Sequence, residues 1–422
     1  MKATILASCL LVTMLLVAPL TSVAVFRANR SIKINSEVRR TYGPDKVMML
    51  NLDLSADGNT VVANFGHLDG NDSHSVPYLD IVQESQGGRA WTRRQVKNKT
   101  LLARPAPFKC GAISSMSADG KRFVTACNSN TRDGEELLVF QQQEQHGKQY
   151  QLMQRIKAES NRPDGYQIVD FASNFRLSPD GNVLTVVHRL RRSGQRAAYI
   201  ARFYRQSQST GRFEPVGREY SLPNAVEKIT DTIVSSRDGS LVVIMTAFAT
   251  SLNPEMVLFE SSSRGCPPVV VDKMLTPNIT ALVKSIELES PVVMITAKGD
   301  RLLVGGGIPE EHRAEYHLLQ RNAHGAFVPE HVFDASSAGA SVHMSANGLT
   351  VAIASRRDVI DPCTIQVYRK SESGWQPYGD AMTFPSTEIC RSNFHGIRLS
   401  ANGKTLVAAS VFTDPIYVFE DK

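Results

Sequence analysis

A chain of 422 residues with 42% hydrophobic and 21% charged side chains has ordinary globular composition. That excludes a disordered, collagenous or fibrous chain and supplies ample material for a large core. Its formal charge of +6 is mild and spread along the sequence, which gives no reason to expect a nucleic acid partner.

The first residues, MKATILASCLLVTMLLVAPLTSVA, place one Lys ahead of an apolar run and end on small residues at Ser22 and Ala24. This is the pattern of a secretory signal peptide, residues 1–24, cleaved after Ala24; a retained membrane anchor is the competing reading. No later segment approaches the roughly 20 continuous apolar residues of a spanning helix. The mature chain is therefore expected to be secreted, in an environment where disulfides persist. Cys110, Cys127, Cys266, Cys363 and Cys390 remain after cleavage, and the odd count leaves one over. Asn29, Asn71, Asn98 and Asn278 open Asn-x-Ser/Thr sequons, which are glycosylation sites if the source is a eukaryote.

Residues 28–38, ANRSIKINSEV, form one isolated β-prone stretch. From there the chain repeats a phrase: LSADGNTVVAN, MSADGKRFVTA, LSPDGNVLTVV, SSRDGSLVVIM, ITAKGDRLLVG, MSANGLTVAIA and LSANGKTLVAA. Period-two apolar residues, a turn and a second β-prone run make a hairpin. In the turn, Pro179 suits a φ near −65°, Asp or Asn follows, and Gly takes the left-handed position. Lys298-Gly299 departs by lacking the Asp. A third strand follows each hairpin, then a polar turn and, in most units, an aromatic: Trp91, Tyr150, Phe213, Phe327 and Trp375.

Four antiparallel strands repeated in this way predict an all-β, seven-bladed β-propeller. The blades fall at about 45–100, 108–157, 168–217, 228–273, 288–332, 340–380 and 392–422 by the repeat spacing. The last unit stops at its third strand, IYVFEDK. Residues 28–38 are expected to supply its missing outer strand and close the ring, which removes open sheet edges.

The pattern LSADGNT-x-VA followed by VYRKSESGW resembles the secreted propeller repeats grouped with integrin-α-like (FG-GAP-type) and WD40-like sequences. The resemblance covers nearly all of residues 28–422. The SPDG phrase also resembles the repeats of TolB-type and lactonase-type propellers. It implies a scaffold for binding and implies no reaction. Integrin-type repeats often carry a D-x-D-x-D-G calcium loop, which this sequence lacks.

The sequence holds no Gly-x-Ser-x-Gly elbow, His-Glu-x-x-His, Walker loop or paired Cys-x-x-Cys, so no catalytic, metal or cofactor residues are assigned. Residues 310–317, EEHRAEYH, have metal-ligand residue types at a spacing better suited to a polar loop. Gly305–Gly307 read as close backbone packing. The innermost-strand position two before each turn Ser reads Asp53, Ser115, Arg176, Val234, Met294, His343 and Arg398, a ring of mixed sign that is poor for a metal. Asp53 and Arg398, on neighbouring blades of a closed ring, are expected to pair.

The end away from the turns carries loops that differ in every blade, where binding usually sits. Its basic members include Arg132 and the candidate ligand-binding residues Arg189, Arg191, Arg192, Arg356 and Arg357. The run HRLRRSGQR, residues 188–196, is expected to be an exposed loop suited to polyanions such as sulfated glycans. Two disulfides are expected at that end. Cys110 and Cys127 flank one hairpin and should pair; Cys363 and Cys390 lie in adjacent loops and should pair; Cys266 is left over. The functional expectation is a monomeric, non-enzymatic secreted binding or adhesion module for a protein or glycan partner. The alternative is an extracellular propeller enzyme of lactonase or metal-dependent hydrolase type.

Overall fold

The computed structural model describes residues 26–32, 47–67, 78–84, 91–95, 108–129, 136–143, 149–158, 166–191, 198–222, 232–246, 255–261, 269–272, 289–308, 311–336, 340–356, 361–384, 396–409 and 416–421. The predicted signal peptide lies outside them. Among the described residues every regular element is a strand. The first, β1, spans Phe26–Ile32. Sheet one holds β2 (Val47–Leu54), β3 (Thr60–His67), β4 (Tyr78–Glu84) and β5 (Trp91–Gln95). Sheet two holds β6 (Phe108–Met116), β7 (Arg122–Ser129), β8 (Glu136–Gln143) and β9 (Gln149–Lys157). Sheet three holds β10 (Gln167–Leu177), β11 (Val183–Arg191), β12 (Ala198–Gln206) and β13 (Phe213–Leu222). Sheet four holds β14 (Thr232–Ser235), β15 (Leu241–Thr246), β16 (Glu255–Glu260) and β17 (Val269–Asp272). Sheet five holds β18 (Glu289–Ile295), β19 (Arg301–Ile308), β20 (Arg313–Arg321) and β21 (Phe327–Ala335). Sheet six holds β22 (Ser341–Met344), β23 (Thr350–Ser355), β24 (Cys363–Ser371), and an outer edge split into β25 (Gly374–Pro377) and β26 (Met382–Phe384), both paired with β24. The last sheet is ordered β1, then β29 (Ile416–Asp421), β28 (Thr405–Ala408) and β27 (Ile397–Leu399).

The repeated turn has a local chemical cause. In the first unit the Ser55 hydroxyl donates to Asp57 Oδ1 at 2.6 Å and accepts the Thr60 N–H at 2.8 Å. Asp57 Oδ1 also accepts the Asn59 N–H at 2.9 Å. The same three bonds recur around Ser117, Ser178, Ser236, Ser345 and Ser400. The fifth unit keeps the arrangement with a different residue. Lys298 stands where the Asp would be, and Asp300 accepts the Thr296 hydroxyl instead.

The turns also hold one another. Main-chain bonds run from Ala56 N–H to Ala118, from Ala118 to Pro179, from Asp180 to Arg237, from Arg237 to Ala297, from Ala297 to Ala346, from Asn347 to Ala401, and from Ala401 back to Ala56, at 2.6 to 3.0 Å. Pro179 has no N–H to give, so its neighbour Asp180 donates onward. The chain of bonds is circular, and it binds the innermost hairpins into a closed belt around one axis.

Between successive sheets lie apolar layers. Val62 of sheet one meets Met116, Phe123 and Phe140 of sheet two. Leu241, Val243 and Met245 meet Leu302, Val304 and Phe327 across sheets four and five. Ala352, Ile365 and Val367 meet Leu399, Leu406 and Phe419 across the last pair. Each such fully buried side chain contributes about 1.5–3 kcal/mol of transfer free energy. Antiparallel sheets packed face to face around an axis make the molecule an all-β β-propeller.

The closing strand differs in extent from expectation. β1 pairs antiparallel with β29 over Phe26–Ile32, with a shift in register between Ala28 and Arg30. The expected segment was residues 28–38, and residues 33–38 lie outside those described. The predicted loop at 188–196 is also corrected, since its first four residues belong to β11.

Candidate functional site

The innermost strands end at the belt, and their residues surround a cavity of about 140 Å³ on the axis. Every sheet named above contributes to it. Several side chains of the innermost strands also fix the next sheet's main chain. Asp53 Oδ2 accepts the Met116 N–H at 3.0 Å, and Ser115 Oγ accepts the Leu177 N–H at 3.0 Å. Met294 Sδ accepts the Met344 N–H at 3.2 Å, and His343 Nδ1 accepts the Leu399 N–H at 3.0 Å.

The charges in this ring involve a second arginine beside the expected one. Arg176 of sheet three places Nη1 3.9 Å from Asp53 Oδ2. The Arg176 side chain is 39% exposed, so it presents its charge to the cavity. Arg398 is buried, and its Nη1 donates to the Ile397 carbonyl at 2.9 Å. Burial pulls the Arg398 guanidinium down to about 10, with Asp53 opposing that change and Arg176 adding to it. Asp53 therefore faces two arginines rather than one.

The predicted loop-face arginines fall as follows. Arg189 is half-buried within β11, opposite Asp170 and Tyr199 in the ladders. Arg191 is exposed at the strand's end. Arg356 is half-buried and follows directly after β23. Arg132, Arg192 and Arg357 lie outside the described residues. His188, which opens the same run, is a core residue. It is 1% exposed, stacks on Phe171 at 4.7 Å, and accepts the Ala172 N–H at 3.3 Å. Ala172 has a φ of 52°, a left-handed conformation that a non-glycine residue adopts at a cost.

Cys110 stands directly opposite Cys127 in the β6–β7 ladder. Cys127 and Cys363 are each disulfide-bonded. Cys266 and Cys390 lie outside the described residues, as do Asn71, Asn98 and Asn278. Asn29 sits at the irregularity in β1. The metal-like run near residue 312 is organised by a cation from the chain itself. Arg313 bonds Glu311, Glu315 at 3.0 Å and Asp334 at 2.8 Å. Gly305 performs the close packing expected of it, since a Cβ there would stand 2.1 Å from the Glu315 carbonyl oxygen.

No protein-family model matches the sequence, and no curated protein matches it. Solved structures overlap it loosely. Hydrazine synthase of Kuenenia stuttgartiensis aligns with a TM-score of 0.46 and 14% identity, covering 89% of this chain and 96% of that one. The periplasmic gluconolactonase of Pseudomonas aeruginosa aligns with a TM-score of 0.44 and 15% identity, covering 79% and 84%. The β-propeller domain of the Trilobed protease from Pyrococcus furiosus aligns with a TM-score of 0.43 and 9% identity, covering 89% and 92%. At this distance the likeness concerns the fold and carries nothing about activity.

Proposed function

We propose that this chain is a secreted, non-catalytic binding module, its sheets forming the seven blades of a closed ring. In this reading the end opposite the belt carries the partner site, and the partner is an anionic surface of the sulfated-glycan kind. The observation that supports it is the position of two arginines. Arg191 terminates β11 and Arg356 follows β23, and both second strands run away from the Ser-x-Asp-Gly turns. The two cations therefore rise at the same end of the molecule, on different sheets of a rigid scaffold. Guanidinium groups match sulfate and carboxylate geometry by paired hydrogen bonds.

The test is chromatography on a sulfated-glycan matrix. A double change of Arg191 and Arg192 to Ser leaves the thermal midpoint unchanged and lowers the salt needed for elution. Elution at an unaltered salt concentration would overturn the polyanion reading.

A further inference from the structure

We propose that the axial cavity is a second binding site, for a small organic carboxylate. This inference is independent of the loop-face reading, because the cavity lies at the opposite, belt end of the axis.

Charge is the first argument. Among the described lining residues two guanidiniums, Arg176 and Arg398, face one carboxylate, Asp53. That carboxylate is already engaged: Oδ1 accepts the Leu54 N–H at 3.1 Å, Oδ2 accepts the Met116 N–H at 3.0 Å, and Arg176 stands 3.9 Å away. Arg398 keeps its proton at neutral pH, since burial brings it down only to about 10. A recess with low-dielectric walls into which the 39% exposed Arg176 guanidinium projects focuses a positive field, which raises the local concentration of anions.

The donors are the second argument. His343 Nδ1 is already occupied by the Leu399 N–H, so the recognition falls to the exposed guanidinium. The guanidinium of Arg176 adds a planar fork suited to two carboxylate oxygens.

Size and polarity narrow the ligand. The walls include Met294, Met344 and Val234, which suit a short hydrocarbon body and offer nothing to a fully hydrated ion. A recess of about 140 Å³ suits a molecule of a few carbon atoms.

The experiment is titration calorimetry and thermal melting of the purified protein with succinate, inorganic phosphate and succinamide as probes. Succinate is expected to bind one-to-one and raise the melting temperature, as any ligand selective for the native state does. Succinamide, of similar shape without charge, is expected to give no heat. Arg176→Gln should weaken succinate binding at least tenfold while melting like the parent. Arg176→Lys, which keeps the charge and loses the fork, should fall between. The Arg191 and Arg192 double variant should bind succinate unchanged. The proposal is overturned if succinate gives neither heat nor stabilisation, if Arg176→Gln and Arg176→Lys both bind it like the parent, or if phosphate binds where succinate does not.

Discussion

Gly58 and Thr405, from the first and last sheets, meet at the seam of the ring. A Cβ on Gly58 would stand 2.6 Å from Thr405 Oγ1 and 2.8 Å from Thr405 Cβ. Gly58 also has a φ of +78°, so alanine there meets two penalties. The left-handed backbone costs about 1–2 kcal/mol, and overpacking adds about 1–3 kcal/mol. Gly58→Ala should lower unfolding free energy by the sum. Gly211→Ala is the comparison, since Gly211 has a φ of +68° with its nearest contact at 3.9 Å. It should lose the backbone part alone. Denaturant melts of both variants check this, and equal losses would refute the steric account.

The fifth unit carries its turn carboxylate on Asp300, which accepts the Thr296 hydroxyl. Asp300→Ala should therefore destabilise by about 1–3 kcal/mol, the range for a hydrogen bond to a charged group. Lys298, exposed at the regular Asp position, should tolerate Ala within about 0.5 kcal/mol. Chemical denaturation of the two single variants separates the roles; a larger loss at Lys298 would contradict the assignment.

Glu330 joins sheets five and six. Its carboxylate accepts from Arg301 Nε at 2.8 Å, from Trp375 Nε1 at 3.3 Å and from Lys370. Burial alone would raise its pKa, and the bonds from Lys370 and Arg301 outweigh that, leaving it below the ordinary value of 4.5. A depressed carboxylate contributes stability that is fully present above the unfolded pKa and lost as pH falls through the folded one. Glu330→Gln should cost about 1–3 kcal/mol at neutral pH. The gap between variant and parent should narrow on acidification below the ordinary carboxylate range. A gap that is constant from neutral pH to strong acid would exclude this origin.

The two observed half-cystines lead to a pairing scheme. Cys110 faces Cys127 across one ladder, which favours a bond between them, and Cys363 is proposed to join Cys390 in the chain that follows β26. Peptide mapping without reduction should recover both linked pairs with Cys266 unlinked. A bond closing a loop of about 15 residues contributes about 3 kcal/mol in the chain-entropy account, so Cys110→Ala should lower stability on that order. A peptide linking Cys266 to any of the other four would break the scheme.

The hairpins were legible in the sequence because their cause is local. Ser, Asp and Gly satisfy one turn within six residues, and the flanking alternation sets which side of each strand is buried. What escaped was tertiary. Residues 188–191 read as a charged loop, yet His188 and Leu190 are buried while Arg191 is exposed. The period-two signal was present beneath the arginines. The expectation for Asp53 named only Arg398 on the adjacent blade, which the Asp53 charge does act on. Arg176, one sheet further off, also stands 3.9 Å from it. Side-chain length at the equivalent ring positions was the available clue. Nothing in the run Asp170–Asn174 announced the left-handed Ala172, whose N–H is held by His188 from the neighbouring strand.

The pairing of β1 with β29 has a consequence in time. On the ribosome β1 is made before every other strand described and β29 after them, so the strand that completes the last sheet waits for all the intervening sheets to be synthesised. Earlier sheets each contain four or five consecutive strands and can form as they emerge. The seam alone demands contact between residues separated by almost the entire sequence, which is the slow kind of contact to find. Until then the ring is an open arc with two bare edges. Closure of the ring is therefore gated by synthesis of β29, and a nascent chain arrested before it exposes the edges that the closed ring conceals.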